Sequence, residues 1–364
     1  MGYGKNLLHE HFESLFSDFI GSKFSIVFSS GGVAMQSALR ALDLPFKGSV
    51  IHQVDTCSAT PQAILNSGYI PKFCDISPID FKLDQNQLSN SLDLNTKVLL
   101  VTHMWGSVEK LEESIKFSQK NKLHLIEDCC LSLGSYFKQE HVGNFGICGI
   151  FSMGSTKPIQ AGEAGIVTTN DESLFKTLIE IRNWGCKTDS NDFQDFDKLS
   201  YNGRISEFVI PVAISQLKNY KKRLSIIKNN LHYLKEYLGK FEDLISIPDF
   251  NNFDANSFTQ LNLIVSHGVK IDKLKLNLND QGIFTNSYNF KPLNNSSFFL
   301  KGEYGNYINP EYKKLLKRYT QGLFPNANNL YLYKGLGIPR INFEGNQIKS
   351  LAKKIENALL NLSK

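Results

Sequence analysis

A chain of 364 residues with 41% hydrophobic and 21% charged residues has an ordinary globular composition and room for about two domains. Its formal charge of +5 is spread widely, so no basic arm or acidic tail points to nucleic acid. The densest cluster, Lys218 to Arg223, falls in a helical pattern and reads as a solvated helix face. No run of about 18 apolar residues suggests a membrane span. The six cysteines, at 57, 74, 129, 130, 148 and 186, have no paired metal-ligand spacing, which leads us to expect no metal centre and reduced thiols in a cytoplasmic protein.

In chain order, Leu7 to Phe19 carries apolar residues at helical spacing and stops at Gly21. A strand-like run, Phe24 to Phe28, leads into Ser29-Ser30-Gly31-Gly32 and a helix expected from Val33 to Leu42. A small-residue turn at a helix start can present backbone N–H groups to a phosphate, or can be a plain N-cap. Further strands are expected at Ser49 to His52, Ile70 to Asp75, Val98 to His103, Leu123 to Ile126, Gly149 to Met153 and Ile166 to Thr169. Helical stretches at Ser58 to Asn66 and Val108 to Lys120 separate several of them. These seven apolar runs, mostly divided by helices, predict an α/β fold with a largely parallel sheet covered on both faces. Ligands on such sheets bind beyond the strand carboxyl ends, where Ser30, His103, Asp128 and Lys157 fall.

The stretch from Leu123 to Thr169 concentrates the chemistry. Glu127-Asp128 closes a buried strand, so a carboxylate stands at a strand mouth. A single lysine, Lys157, follows the Phe151-Ser152 strand end and precedes the loop Gln160-Ala-Gly-Glu-Ala-Gly165. Alone, Lys157 reads as a solvated loop residue; with small neighbours on one side and a glycine loop on the other, it is open to a flat ligand and to Schiff-base chemistry. Gly143-x-x-Gly146-x-x-Gly149 precedes a strand instead of following one, which argues against a dinucleotide fold.

After the strand run that ends at Thr169, a helix is expected from Asp171 to Trp184 and a polar, acidic loop from Gly185 to Ser200. Tyr201 to Glu207 comes next, followed by a long helix from Val209 to Tyr237. Beyond Gly239 the pattern shortens: an alternating run from Phe258 to Val265, a helix from Ile271 to Leu278, a strand from Gly282 to Tyr288, a helix begun by Phe324-Pro325, and an amphipathic helix from Asn346 to Leu362. The expected organisation is a large domain, residues 1–239, and a smaller α+β domain, residues 240–364.

Glu127-Asp128, the GNFGICG run from Gly143 to Gly149, Phe151-Ser152-x4-Lys157 and Gly162-Glu163-x-Gly165 together resemble the signature of the DegT/DnrJ/EryC1/StrS sugar aminotransferases, which depend on pyridoxal phosphate. Asn202-x-Arg204-x-x-Glu207 ahead of the long helix extends the resemblance, which covers nearly the whole chain. It implies a type I aminotransferase-like fold and a homodimer with shared sites. Lys157 would hold the cofactor and move protons, with Asp128 against the ring nitrogen. Ser30, Gly31, Gly32, Ser152 and the partner's Asn202, otherwise a turn residue, would hold the phosphate. The substrates implied are a nucleotide-linked ketosugar and glutamate.

Departures from the family pattern are informative. Gly32 replaces a usual Thr, Leu131 replaces a polar partner of the ring hydroxyl, and Cys57 replaces an aromatic that covers the ring; Trp105 is the candidate substitute. The family usually has a further segment ahead of Gly4, so part of the active-site rim is expected to be absent or rebuilt. The alternatives are a dehydratase of the same fold, disfavoured because those relatives replace the lysine with histidine, and a cofactor-binding protein without turnover, disfavoured because passive binding does not require Asp128.

Overall fold

Seven short strands carry the larger part of the molecule: β1 (Phe24–Phe28), β2 (Ser49–Gln53), β3 (Ile70–Cys74), β4 (Thr96–Thr102), β5 (His124–Asp128), β6 (Cys148–Ser152) and β7 (Gly165–Thr169). They form one sheet in the order β1-β7-β6-β5-β4-β2-β3. The computed structural model describes residues 7–187, 195–248, 256–257, 259–306, 308–339, 343 and 345–362. The expected start of a strand at Phe258 and the middle of the expected loop at 185–200 lie outside them.

Strand period and two-sided burial explain the apolar runs. In β4, Leu99 and Val101 face one core with Phe12, Phe16, Ile210 and Tyr220, while Val98 and Leu100 face the other with Ala34, Leu39, Ile64 and Leu178. Helices Leu7–Ile20 and Ile210–Leu238 therefore cover one side of the sheet, and Gly31–Ala41, Ala59–Asn66 and Glu172–Arg182 the other.

The strands from β3 to β6 run parallel, but β7 is antiparallel to both neighbours, β1 and β6. The cause is the short link from β6 to β7. It closes on itself, with Met153 N–H donating to Ala164 O at 2.8 Å and Ala161 N–H to Met153 O at 2.9 Å, and carries no crossover helix. Consequently the end of β6, the start of β7 and the end of β1 share the sheet edge at which β2, β4 and β5 also finish.

A second sheet, β8 (Ile245–Ser246), β9 (Gln260–Val265), β10 (Asn286–Ser287) and β11 (Gly335–Pro339), is antiparallel in the order β8-β9-β11-β10. Its core takes Leu231, Leu234 and Leu238 from the long helix, whose earlier turns belong to the first core. That helix ends at Leu238. Tyr288, Leu293, Phe299 and Leu330, however, pack with Val54, Ile70, Phe73 and Ile76 of the large sheet's edge.

Two element expectations change. The run from Gly282 to Tyr288 pairs only at Asn286–Ser287. The helix expected from Val108 starts at Leu111, because Glu109 turns inward: its carboxylate accepts Leu83 N–H at 2.7 Å and its own N–H donates to His103 Nδ1 at 3.0 Å.

Candidate active site

Ser30 caps the helix Gly31–Ala41, its Oγ accepting Val33 N–H at 3.2 Å. The first turn of that helix lies against β6 and β7. A Cβ on Gly31 would stand 2.8 Å from the Ser152 Cβ, and one on Gly165 would stand 2.1 Å from the Ser30 carbonyl oxygen. Only glycine admits this close approach, which leaves a cradle of backbone N–H groups at the positive end of a helix.

At the end of β5, alternation sends neighbouring carboxylates to opposite faces. Asp128, 5% exposed, faces the cavity and accepts Cys130 N–H at 3.1 Å. Glu127 turns into the core, where Oε1 accepts N–H groups of Phe145 and Gly146 and Oε2 accepts that of Gly143 and His103 Nε2. Burial opposes its ionisation, yet the His103 contact and the backbone donors hold Glu127 below the ordinary carboxylate range. The GNFGICG motif is thus a loop wrapped on one buried carboxylate.

His103, expected among the ligand-facing strand ends, is instead fully buried behind the sheet edge, held between Glu127 and the Glu109 N–H. Cys129 approaches the same pair, but the Glu127 oxygens already accept four N–H donors.

Lys157 rises from the loop between β6 and β7, its N–H donating to Gly154 O at 3.1 Å. It lines an inner cavity of about 300 Å³ together with Ser30, Gly31, Gly32, Cys57, Asp128 and Ser152. Cys130, Met104, Thr56 and Phe290 line it too, and the motif reading missed them. Burial pushes the Cys130 thiol well up, which makes it a poor nucleophile. Leu131, Lys157 and Phe290 also line an outer cavity of about 590 Å³, and Trp105 belongs to that one. Asn202 lies outside both cavities, exposed, with its Oδ1 accepting Arg204 N–H at 3.2 Å.

The model of the DegT/DnrJ/EryC1/StrS aminotransferase family matches residues 4–318. The chain belongs to this family. It is a pyridoxal-phosphate-dependent aminotransferase. The GDP-perosamine synthase of Vibrio cholerae is 23% identical to it over 352 residues, covering 96% of this chain and 90% of that protein. PseC of Helicobacter pylori, an aminotransferase of pseudoaminic acid biosynthesis, superposes with a TM-score of 0.85 at 21% identity, covering 98% and 92% of the two chains. The E. coli GDP-4-keto-6-deoxy-D-mannose-3-dehydratase, solved with hydrated pyridoxal phosphate bound, gives 0.81 at 24% identity, with 96% and 92% covered. At these identities the superpositions speak for the fold. The chemistry of the residues lining the inner cavity of this aminotransferase fits the cofactor: a helix start whose glycine admits close approach, a buried carboxylate and a lysine line one space.

A buried acid adjoins the site. Asp55, 1% exposed, accepts Gln53 Nε2–H at 3.3 Å and a short hydrogen bond from Asn289 Nδ2, yet burial pushes it up to about 7. Burial likewise raises Glu109 to about 7, and lowers His52 and His141 to about 4. The signs oppose. Between their unfolded values and 7 the folded acids retain protons that the unfolded chain has lost, so stability falls as pH rises. Between 4 and 6.5 the unfolded chain binds protons on the two histidines that the folded state refuses, so stability rises with pH. Asp55→Asn removes one falling contribution. Relative to the parent, the variant should therefore gain about 1.4 kcal/mol per pH unit from pH 4 to 7. Urea midpoints at pH 4.5 and 7 check this; an unchanged difference between the two proteins would contradict it.

Proposed function

We propose that this enzyme transfers the amino group of glutamate to the keto carbon of a nucleotide-linked sugar, for surface-polysaccharide or secondary-metabolite amino sugars, and works as a homodimer. The observation that carries the reading is that Lys157 lines both the cofactor cavity and the larger outer cavity. One amine thus meets cofactor and substrate.

The role of each residue follows from its place. Ser30, Gly31, Gly32 and Ser152 would hold the phosphate, joined by the partner's Asn202. Asp128 would stabilise a proton on the ring nitrogen. When bound, pyridoxal phosphate supplies an electron sink for a carbanion at the amino-bearing carbon. Lys157 Nζ would take the proton from the donor's α-carbon and pass it to the cofactor in the first half-reaction, and in the second would carry a proton back from the cofactor to the new amino-bearing carbon of the sugar. Leu131, in place of a polar ring-hydroxyl partner, leaves that side apolar.

The outer cavity suits a sugar with an anionic tail. Arg223 lines it; one guanidinium nitrogen donates to Pro158 O at 3.2 Å, while its Nε is buried and without a partner among the described residues, as is the Thr259 hydroxyl. An arginine with unspent donors suits a diphosphate. The GDP-perosamine synthases among the relatives lend support. The segments flanking Asn202 expose Phe208 (93%), Leu199 (86%) and Trp184 (53%), an apolar surface of the kind that a second subunit covers. Among the described residues no helix is long and apolar enough to cross a membrane.

Incubation with glutamate and a panel of nucleotide-linked ketosugars, read by product mass, should yield an amino sugar and one 2-oxoglutarate per turnover with ping-pong kinetics. A deoxygenated sugar, or ammonia without an amino sugar, would favour dehydration instead.

A further inference from the structure

A flat conjugated ligand needs a flat wall, and Cys57 does not provide one. Among the described residues lining the inner cavity, Phe290 is the one aromatic. Its ring stacks on that of Trp105, with centroids 5.6 Å apart and planes at 20°. Trp105 therefore backs Phe290 from the outer cavity.

The pair is held in place from behind. Trp105 sits at φ +54°, a left-handed conformation uncommon for a bulky residue. Neighbouring bonds fix it there: its carbonyl accepts Thr259 N–H at 3.0 Å, and the Gly106 carbonyl accepts Ser257 N–H at 3.2 Å and Ser135 Oγ–H at 2.7 Å. The indole Nε1–H donates to Asn289 Oδ1 at 3.1 Å, and the other end of the same amide donates to Asp55, which Gln53 also holds. An indole only donates, so the Asn289 oxygen has to face Trp105, and this turns its Nδ2 towards Asp55. It is 3% exposed and immediately precedes Phe290 in the chain.

We propose that Phe290 is the residue that lies against the cofactor ring in this enzyme, in place of an aromatic at position 57, and that Asn289 is the positioning residue that aims it through Trp105 and Asp55. This rests on the cofactor reading of Lys157 and Asp128. Because Phe290 also walls the outer cavity, the same ring limits where a substrate can approach Lys157.

Trp105 is itself the reporter. The chain has two tryptophans, so Trp184→Phe leaves Trp105 as the sole indole. In that background the apoprotein is titrated with pyridoxal phosphate and the dissociation constant read from quenching of Trp105. Phe290→Leu, which keeps the bulk but removes the aromatic face, should weaken binding about 2- to 10-fold, the range expected of one aromatic pair. Phe290→Tyr should restore it to within about twofold of the parent by the same reasoning. Asn289→Ala should weaken binding in the same direction and shift Trp105 emission to the red, as the indole loses its partner and meets water. An unchanged dissociation constant in Phe290→Leu, with the parent still forming a borohydride-trapped adduct on Lys157, overturns the proposal alone. Absence of that adduct in the parent overturns the cofactor reading and this proposal together.

Discussion

Lys157→Arg should abolish turnover while leaving some pyridoxal phosphate bound non-covalently. Arginine keeps the charge and most of the length, but its guanidinium is not deprotonated in proteins, so it can neither bond the cofactor covalently nor accept a proton. Loss of well-placed proton transfer alone is worth roughly 10²- to 10⁴-fold, and the residue is used in both half-reactions. Borohydride reduction and peptide mapping of the parent should place the cofactor on Lys157 and on no other lysine. Asp128→Asn separates the two functions of the cavity: it should retain the label on Lys157 and lose turnover, because the amide keeps the shape of the buried side chain but not its charge. A label elsewhere, or full activity of the arginine variant, would remove the mechanism.

The second large effect is recovery of activity from two inactive chains. Asn202 is exposed and lies outside both cavities of its own chain, next to apolar surface, as a residue destined for a partner's site would be. Co-expression of a Lys157→Ala chain with an Asn202→Ala chain, and isolation of the mixed dimer through two different tags, gives one site with both defects and one with neither. That dimer should show about half of the parent's activity, since a two-fold dimer has two equivalent sites. The two homodimeric variants should show little, Asn202→Ala through weakened cofactor binding. A mixed dimer no more active than its parents, with normal cofactor affinity in the Asn202→Ala homodimer, would rule out the shared site.

The sequence by itself determined what is local in the chain. The strand runs are apolar because both faces of the sheet are covered, so β1 to β7 were legible to within a residue or two. Asp128, Ser152 and Lys157 sit within one stretch of β-strand ends and loops, which is where the sequence pointed to a site, and Gly31 and Gly165 lie where a Cβ would clash. Tertiary structure decided the rest. The direction of β7 depends on how the 153–164 link folds back, which apolar periodicity does not encode. Alternation tells that Glu127 and Asp128 face opposite ways, but not which faces the cavity; the answer comes from His103 and the N–H groups of residues 143–146, which satisfy the inward carboxylate. The contact between Trp105 and the segment that carries Phe290 is the clearest case. Trp105 and Asn289 are 184 residues apart, and no local pattern announces that the segment after β10 closes over the cofactor cavity. Such contacts form only when two separately built layers meet, and their partners are chosen by the geometry of that meeting.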